Sequence, residues 1–85
     1  MTYQVIIPPV VQKQLEKLDK NIQERILASL ERIRVRPYSF VEKIEGHPWF
    51  KLRVGDYRVL LDIQNNNLVI LVIRAGHRKN IYKGL

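Results

Sequence analysis

The sequence predicts a two-layer α+β fold in which two N-terminal helices pack on a mostly antiparallel sheet, with the element order β-α-α-β-β-β. Three observations predict it. Apolar residues recur at helical spacing in the first half, they alternate with polar residues in the second half, and glycine and asparagine turn signals separate the alternating runs. Helices on one face of such a sheet bury the apolar surfaces of both layers. Because 85 residues are too few for two hydrophobic cores, we expect a single domain spanning residues 1–85.

The first half begins with a short strand and continues with two helices. Residues 3–7 are the predicted strand, and Pro8 and Pro9 end it, because proline cannot continue a ladder of backbone hydrogen bonds. Apolar residues then recur at steps of three and four, with Asp19 as the expected N-cap of the second helix and Pro37 as its expected stop. The apolar positions expected to face the sheet are Val11, Leu15, Leu18, Ile22, Ile26, Leu30 and Ile33, with Leu27 widening the stripe of the second helix.

A two-residue hairpin joins the next two predicted strands, residues 49–54 and 57–63. Residues 55–56, glycine and aspartate, form its turn, with glycine first as a type II′ turn prefers. This turn places Arg53 directly opposite Arg58, on the face away from the helices. Like charges in that position destabilise a sheet, so the pair indicates an anion site, since guanidinium groups bind phosphate oxygens in a bidentate manner. The alternative is a solvated face whose arginines lie along their own stems.

The last predicted strand follows a turn of three asparagines, residues 65–67. Its apolar run, residues 68–73, predicts a strand buried on both faces at the centre of the sheet. A three-residue turn places Arg74 opposite Arg58, whereas a two-residue turn puts Arg74 on the helix side. We favour the first arrangement because it keeps an arginine out of the core. Residues 78–83 are expected to form a last helical turn.

Charge and composition narrow the classes of function. The formal net charge is +7, and residues 46–85 carry seven basic and two acidic side chains, which favours a polyanionic partner: nucleic acid, an anionic membrane or an acidic protein. There is no cysteine, no cluster of metal ligands and no glycine-rich phosphate loop, so we expect no metal or other cofactor. The N-terminus lacks the pattern of a signal peptide and no apolar run could span a bilayer, so a cytoplasmic location is expected.

Two motifs in the second half carry a resemblance to a known family. The segment 51–60, KLRVGDYRVL, and the segment 74–79, RAGHRK, followed by Tyr82, together resemble the signature of the RelE branch of the RelE/ParE toxin superfamily, and the resemblance extends over essentially the whole chain. It implies a toxin of a type II toxin–antitoxin pair that acts as a metal-independent, ribosome-dependent endoribonuclease. Such a toxin cleaves mRNA in the ribosomal A site and inhibits translation.

The resemblance also implies the partners, namely a cognate acidic antitoxin of the RelB kind, the ribosome and the A-site mRNA, with no membrane. Two other functions stay open. One is a gyrase-binding toxin of the ParE kind, and the other is an RNA-binding module without cleavage.

Five site residues match positions of the family, and two of them, Lys51 and Arg53, match its basic positions on the strand before the hairpin. Arg58 matches the family's hairpin arginine, Arg78 the arginine after the last strand, and Tyr82 the C-terminal tyrosine. The predicted catalytic residues are Arg58, Arg78, Tyr82, Lys51 and His77. The predicted RNA-binding residues are Arg53, Arg74, Lys79, Lys83 and Trp49.

The expected roles follow from what RNA cleavage without metal requires: activation of a 2′-hydroxyl, stabilisation of the charged phosphorane and protonation of the departing 5′-oxygen. The arginines suit the phosphorane. A tyrosine is a poor base unless nearby cations favour its ionised form. His77 is a rival acid or base, because histidine ordinarily changes charge near neutral pH. Trp49 is expected on the cationic face, where it can stack on a base, cover the sheet edge or receive an antitoxin helix.

Overall fold

The chain folds into one five-stranded sheet with two helices on one of its faces. The computed structural model describes all 85 residues. In chain order the elements are β1 (Gln4–Ile6), α1 (Pro9–Glu16), α2 (Lys20–Arg32), a 3₁₀ turn (Pro37–Ser39), β2 (Val41–Lys43), β3 (Phe50–Val54), β4 (Tyr57–Gln64) and β5 (Val69–His77). The strand order is β1-β5-β4-β3-β2, with β1 parallel to β5 and all other neighbours antiparallel. The predicted α+β class of two layers is confirmed.

The sheet has one strand more than the sequence predicts, and its centre is a different strand. The additional strand, β2, pairs with β3 and forms an edge, while the central position belongs to β4. In β5 the side chains of Ile70 and Val72 are buried, but those of Leu71 and Ile73 are only half-buried. The prediction of a central strand buried on both faces is therefore wrong, because the two helices cover only one face of the sheet.

The helices begin where the sequence predicts. Pro9 occupies the first turn of α1, where its missing N–H removes no helical hydrogen bond. Asp19 occupies the N-cap of α2 as predicted, but its side chain makes no capping bond, and its backbone oxygen accepts the amide of Ile22 at 2.9 Å. Both helices therefore keep their predicted order and place one apolar stripe on the sheet.

The second helix ends earlier than its proline. It stops at Arg32, and Pro37 begins the 3₁₀ turn, so the prediction that Pro37 ends the helix is wrong. The amide of Tyr3 donates to the oxygen of Arg34 at 2.9 Å, and Arg34 Nε donates to the oxygen of Tyr3 at 2.9 Å. These paired bonds direct the chain away from the helix and toward the start of β1.

The main core lies between the helices and the sheet. It consists of twelve buried side chains, with Leu18 and Ile22 half-buried at its margin. Leu27, expected to widen the stripe of α2, is exposed instead. The twelve are Val11, Leu15, Ile26, Leu30, Ile33, Leu52, Val54, Val59, Leu61, Ile70, Val72 and Ala75. Their alternation along the strands leaves the opposite face of the sheet, here called the outer face, to the residues between them.

A β-bulge in β5 decides which residues of that strand reach the outer face. Leu61 pairs with Val72 and Leu60 pairs with Arg74, so Ile73 is an extra residue without a partner. The turn before β5 has four residues, since Gln64 pairs with 69 across the loop. Such a turn alone would put Arg74 on the helix side, and the bulge returns it to the outer face.

The predicted register of Arg74 is therefore wrong in one respect. Arg74 lies opposite Leu60, and Gly76 is the residue opposite Arg58. The physical reason is the combination of a longer turn and a bulge, where a three-residue turn without a bulge was expected. The predicted face is nevertheless the observed one. The longer turn and the bulge each shift the pairing by one residue, and the two shifts together leave Arg74 on the same face.

The C-terminal segment after β5, residues 78–84, consists of turns. The oxygen of His77 accepts the amides of Asn80 at 2.9 Å and Ile81 at 3.0 Å, which makes one isolated helical turn of the kind expected there. Neither α1 nor α2 is long and apolar enough to cross a membrane.

Candidate functional site

The β3–β4 hairpin places two arginines side by side on the outer face. Arg53 pairs directly with Arg58, as the two-residue turn predicts. Gly55 has φ of +58° at the first turn position, a conformation that favours glycine, and Asp56 keeps a negative φ, as in a type II′ turn. The Cβ atoms of directly opposed residues are about 4.5–5.5 Å apart, so two positive charges converge here.

Hydrogen bonds to the backbone fix the position of the Arg58 guanidinium group. Arg58 Nη1 donates to the backbone oxygens of Gly55 and Tyr57, both at 2.8 Å. One nitrogen of the fork is thereby fixed to the hairpin, and the side chain is held without a carboxylate partner. Arg53 is exposed and forms no ion pair. Two positive charges without counterions on a rigid hairpin are suited to binding phosphate.

Lys51 and a residue of β2 extend the site to a depression in the surface. Lys51 lies opposite Glu42 across β2 and β3, and its Nζ is 3.9 Å from the Glu42 carboxylate. At that distance, and with Glu42 largely exposed, the ion pair is weak. The depression has a volume of about 230 Å³ and is lined by Phe40, Glu42, Lys51, Arg53 and Arg58. Three of its five lining residues are cations.

The sequence did not predict Phe40 and Glu42 as part of this site. Both flank or belong to β2, a three-residue edge strand that the alternation of apolar residues does not reveal. The signal that could have found it is the apolar Val41, which pairs with Leu52 and packs against the core.

A second, smaller apolar cluster lies on the outer face beside the cations. Leu60 is fully buried there under Ile44 and Ile81, and Trp49 and Ile73 pack against the same cluster. The imidazole of His47 stacks on Trp49, with centroids 5.5 Å apart and an angle of 12° between the planes. Of the three possibilities for Trp49, covering the sheet is the contact observed in the free chain.

Arg74 ties the C-terminal segment to this cluster. Its Nη1 donates to the backbone oxygens of Ile81 at 2.9 Å and Lys83 at 2.6 Å. Ile81 Cδ1 lies 3.6 Å from the position that a Cβ on Gly76 would take, so the segment crosses the outer face close to the strand. Tyr82 follows Ile81 directly and is 40% exposed. Arg74 thus holds the backbone on both sides of Tyr82.

A variant of Arg74 tests this anchoring. Arg74→Ala removes both bonds to the segment, and hydrogen bonds from a charged donor each contribute about 1–3 kcal/mol. We expect faster amide exchange at residues 81–85. We also expect the free energy of unfolding to fall by at least about 1–3 kcal/mol. Lys83→Ala is the matched control, because it removes a tail side chain and keeps the carbonyl that accepts the bond. Unchanged exchange in Arg74→Ala would show that the packing of Ile81 and the backbone hydrogen bonds to His77 and Asp56 hold the segment without Arg74.

Arg78 is brought to the tip of the hairpin. Its amide donates to the oxygen of Asp56 at 2.9 Å, and its Nε lies 3.6 Å from Asp56 Oδ1. Both side chains are more than half exposed, so the ion pair is weak and Arg78 can exchange Asp56 for another anion. Lys79, the next residue, is exposed, and its amide donates to His77 Nδ1 at 3.2 Å.

His77 lies on the other side of the sheet. It pairs with Tyr57, whose ring it meets edge to face at 5.4 Å, and Tyr57 packs against the main core. Its Nδ1 accepts the Lys79 amide, which leaves Nε2 as the protonated nitrogen of the neutral ring. The structure therefore separates His77 from the outer-face cations, while it brings Lys51, Arg53 and Arg58 together.

Carboxylates are sparse on the outer face near the arginines. Asp62 is four residues from Arg58 along β4, a separation of about 13 Å, and it accepts a hydrogen bond from Gln64 Nε2 at 3.0 Å. The outer face therefore carries a cluster of cations whose charge suits an anionic ligand, and Tyr82 lies on the C-terminal segment beside it.

The sequence match and the structural matches agree with this architecture. A family profile described as the ParE toxin of the type II toxin–antitoxin system parDE matches residues 5–82. The chain belongs to the RelE/ParE superfamily of type II toxins. The match runs from Val5, within β1, to Tyr82, so it covers both helices, strands β2 to β5 and most of the C-terminal segment. Among curated proteins, none matches the sequence significantly.

Three solved structures illustrate the shared fold of the superfamily. A chain of the archaeal RelE–RelB complex from Pyrococcus horikoshii is 31% identical, with a TM-score of 0.80 over 94% of this chain and 99% of that chain. A chain of the RelBE2 toxin–antitoxin complex from Mycobacterium tuberculosis has a TM-score of 0.81 at 22% identity, over 92% of this chain and 100% of that chain. A double arginine-to-alanine variant of the E. coli RelE toxin in the free state is 25% identical, with a TM-score of 0.75 over 93% and 86%.

Proposed function

We propose that this toxin is a ribosome-dependent endoribonuclease that cleaves mRNA in the A site and so inhibits translation in the cytoplasm. The observation that carries the proposal is the opposed pair of Arg53 and Arg58 on an open face, with Lys51 beside them and one weakly paired carboxylate nearby. Directly opposed like charges cost stability unless they bind an anion, and a phosphodiester is the anion that RNA presents at regular spacing.

The proposed roles follow from the positions of the groups. Arg58 and Arg78 stabilise the charge on the phosphorane, and Lys51 with Arg53 binds the flanking phosphate. Tyr82 is the proposed proton-transfer group, because its segment is held on the outer face by Arg74. In the reaction the 2′-oxygen attacks phosphorus and loses its proton, while the 5′-oxygen leaves and gains one. No metal takes part in these proposed steps.

Ribosome dependence is the part of the proposal that follows from what the site lacks. Without a strong acid–base pair near the cations, most of the rate must come from holding the 2′-oxygen, phosphorus and 5′-oxygen in line. We expect the purified toxin to cleave mRNA rapidly on programmed ribosomes and the same RNA slowly in solution at 150 mM salt. Primer-extension mapping of the cut ends measures both reactions. Equal rates with and without ribosomes would show a freestanding nuclease instead.

The proposed neutralising partner is an acidic antitoxin of the RelB kind. The related chains from P. horikoshii and M. tuberculosis come from crystal structures of toxin–antitoxin complexes. A net charge of +7 favours an acidic partner electrostatically. Such a partner would disable the site either by covering the outer face or by displacing the segment that Arg74 holds.

Gyrase binding is the second candidate, since the matching family profile carries the name ParE. The two functions differ in their primary target. A gyrase poison blocks supercoiling by purified gyrase and leaves ribosome-bound mRNA intact, whereas the proposed endoribonuclease does the reverse. Both assays with one protein preparation therefore distinguish the two candidates.

A further inference from the structure

We propose that Phe40 and Glu42 form a nucleobase subsite next to the phosphate-binding arginines. The inference rests on the proposed function, in that it takes RNA as the ligand of the outer face. It adds which side chains contact the base and which bases they prefer. The bound unit is a single nucleotide whose base stacks on Phe40 and whose amino group donates to Glu42.

The register of β2 and β3 puts Glu42 on the outer face, and Phe40 directly precedes β2. Val41 pairs with Leu52 and points to the core, so Glu42, opposite Lys51, points to the outer face. Phe40 ends the 3₁₀ turn directly before β2 and lines the same depression as Arg53 and Arg58. Arg53 and Arg58 are directly opposed in the hairpin. An aromatic ring and two guanidinium groups that line one depression match the base and the phosphate of one nucleotide.

The size of the depression limits what it can hold. Its volume of about 230 Å³ is below the roughly 300–1,000 Å³ of sites that enclose drug-sized ligands, so it admits one small unit. Phe40 is the single apolar residue in its lining. A ligand that fills this space must therefore combine one flat apolar surface with an anionic group.

Phe40 is an exposed aromatic side chain without an aromatic partner. No aromatic ring stacks on it, and 46% of its surface remains accessible. Tyr38, two residues earlier, is similarly exposed but meets the ring of Phe50 edge to face and donates to Asn65 Oδ1 at 2.9 Å. Exposed aromatic side chains within a cationic groove are how single-stranded RNA sites bind bases, and each stacked base contributes about 5- to 150-fold in affinity.

Glu42 needs an explanation in a site for anions, because its carboxylate repels phosphate. Its 3.9 Å ion pair with Lys51 is too long and too exposed to be a strong structural contact. A carboxylate accepts hydrogen bonds from exocyclic amino groups, as in the contact of Glu with the N4 amino group of cytosine. Cytosine, adenine and guanine carry such a group and uracil does not. The subsite should therefore disfavour uridine.

The test measures binding of four small probes to the full-length toxin by NMR titration: ribose 5-phosphate, UMP, CMP and AMP. We expect CMP and AMP to bind about 5- to 150-fold more tightly than ribose 5-phosphate, with UMP between them. Phe40→Ala should abolish the advantage of UMP over ribose 5-phosphate and reduce that of CMP and AMP, and Phe40→Trp should keep both. Tyr38→Ala is the matched control and should leave every ratio unchanged.

Glu42→Gln tests the second half of the subsite. It should reduce the preference for CMP over UMP while the preference for UMP over ribose 5-phosphate persists. An equal loss for CMP and UMP would mean that Glu42 only orients Lys51, and would overturn its role in base recognition. Equal binding of all four probes by the wild type, or an unchanged base advantage in Phe40→Ala, would overturn the subsite as a whole.

Failure of the proposed function gives a different result. In that case Arg53→Ala would not weaken ribose 5-phosphate binding, and wild-type toxin would not cut mRNA on ribosomes. A toxin that cleaves on ribosomes but shows no effect of Phe40→Ala in the titrations retains its proposed function and lacks the subsite.

Discussion

Arg58→Ala is expected to lower the single-turnover rate of mRNA cleavage on ribosomes by about 10²–10³-fold, the usual effect of removing one preorganised donor from a charged transition state. Arg58 lies directly opposite Arg53 in the hairpin, and one nitrogen of its guanidinium group is fixed by the oxygens of Gly55 and Tyr57. The fold should persist, because the side chain contributes nothing to either apolar cluster. Relief of the repulsion from Arg53 also offsets the loss of the two bonds.

Two measurements make this result decisive. Thermal unfolding shows whether the variant is folded, and Arg36→Ala serves as the matched control, since it removes an equally positive charge from an exposed position outside the site. The control should cleave at the wild-type rate. If folded Arg58→Ala arrests translation as fast as the wild type, the outer face is not the site of reaction.

Tyr82→Phe is expected to cost roughly 10²–10⁴-fold in the same assay, the range for loss of a positioned proton-transfer group. The substitution removes one hydroxyl and keeps the ring, so the segment held by Arg74 should stay in place. His77→Gln is expected to cost far less, because the His77 ring lies across the sheet against Tyr57. Rapid quench of pre-bound toxin on programmed ribosomes measures the chemical step for both variants.

The dependence of rate on pH separates the remaining possibilities. If His77 were the proton-transfer group, the wild-type profile would show an inflection that His77→Gln lacks, and the order of the two losses would reverse. Small and equal losses in both variants would mean that positioning and cationic stabilisation carry the reaction without a dedicated base.

The hairpin was predictable from sequence because its register depends on two adjacent residues. A two-residue turn with glycine first leaves one way to pair the flanking strands, so the opposition of Arg53 and Arg58 follows directly. The apolar stripes of the helices were predictable for a similar reason. Along each helix the apolar residues recur at the helical period, and the residues at that spacing are the ones that are buried.

The features that the sequence did not predict all depend on distant neighbours. The bulge at Ile73 is accompanied by a contact from α1, where Gln14 Oε1 accepts the amide of Ala75 at 3.0 Å. The edge strand β2 has three residues and exists by pairing with β3. Its absence from the predicted fold is why Phe40 and Glu42 were not among the candidate site residues. The position of His77 behind the sheet likewise follows from the bulge, which sets the parity of the last residues of β5.

The parallel pairing of β1 with β5 has a consequence for how the molecule folds. Gln4 pairs with Val69, 65 residues later in the chain, so this pair forms only after a large loss of loop-closure entropy. The hairpin that carries Arg53 and Arg58 needs to close only a two-residue turn, which is a microsecond event. Native-state hydrogen exchange should accordingly show the three-residue β1 opening first, with the amides of β3 and β4 protected longest. The arginine pair thus belongs to the most locally encoded unit of the sheet, and its geometry is preserved through the partial openings that release the N-terminal strand.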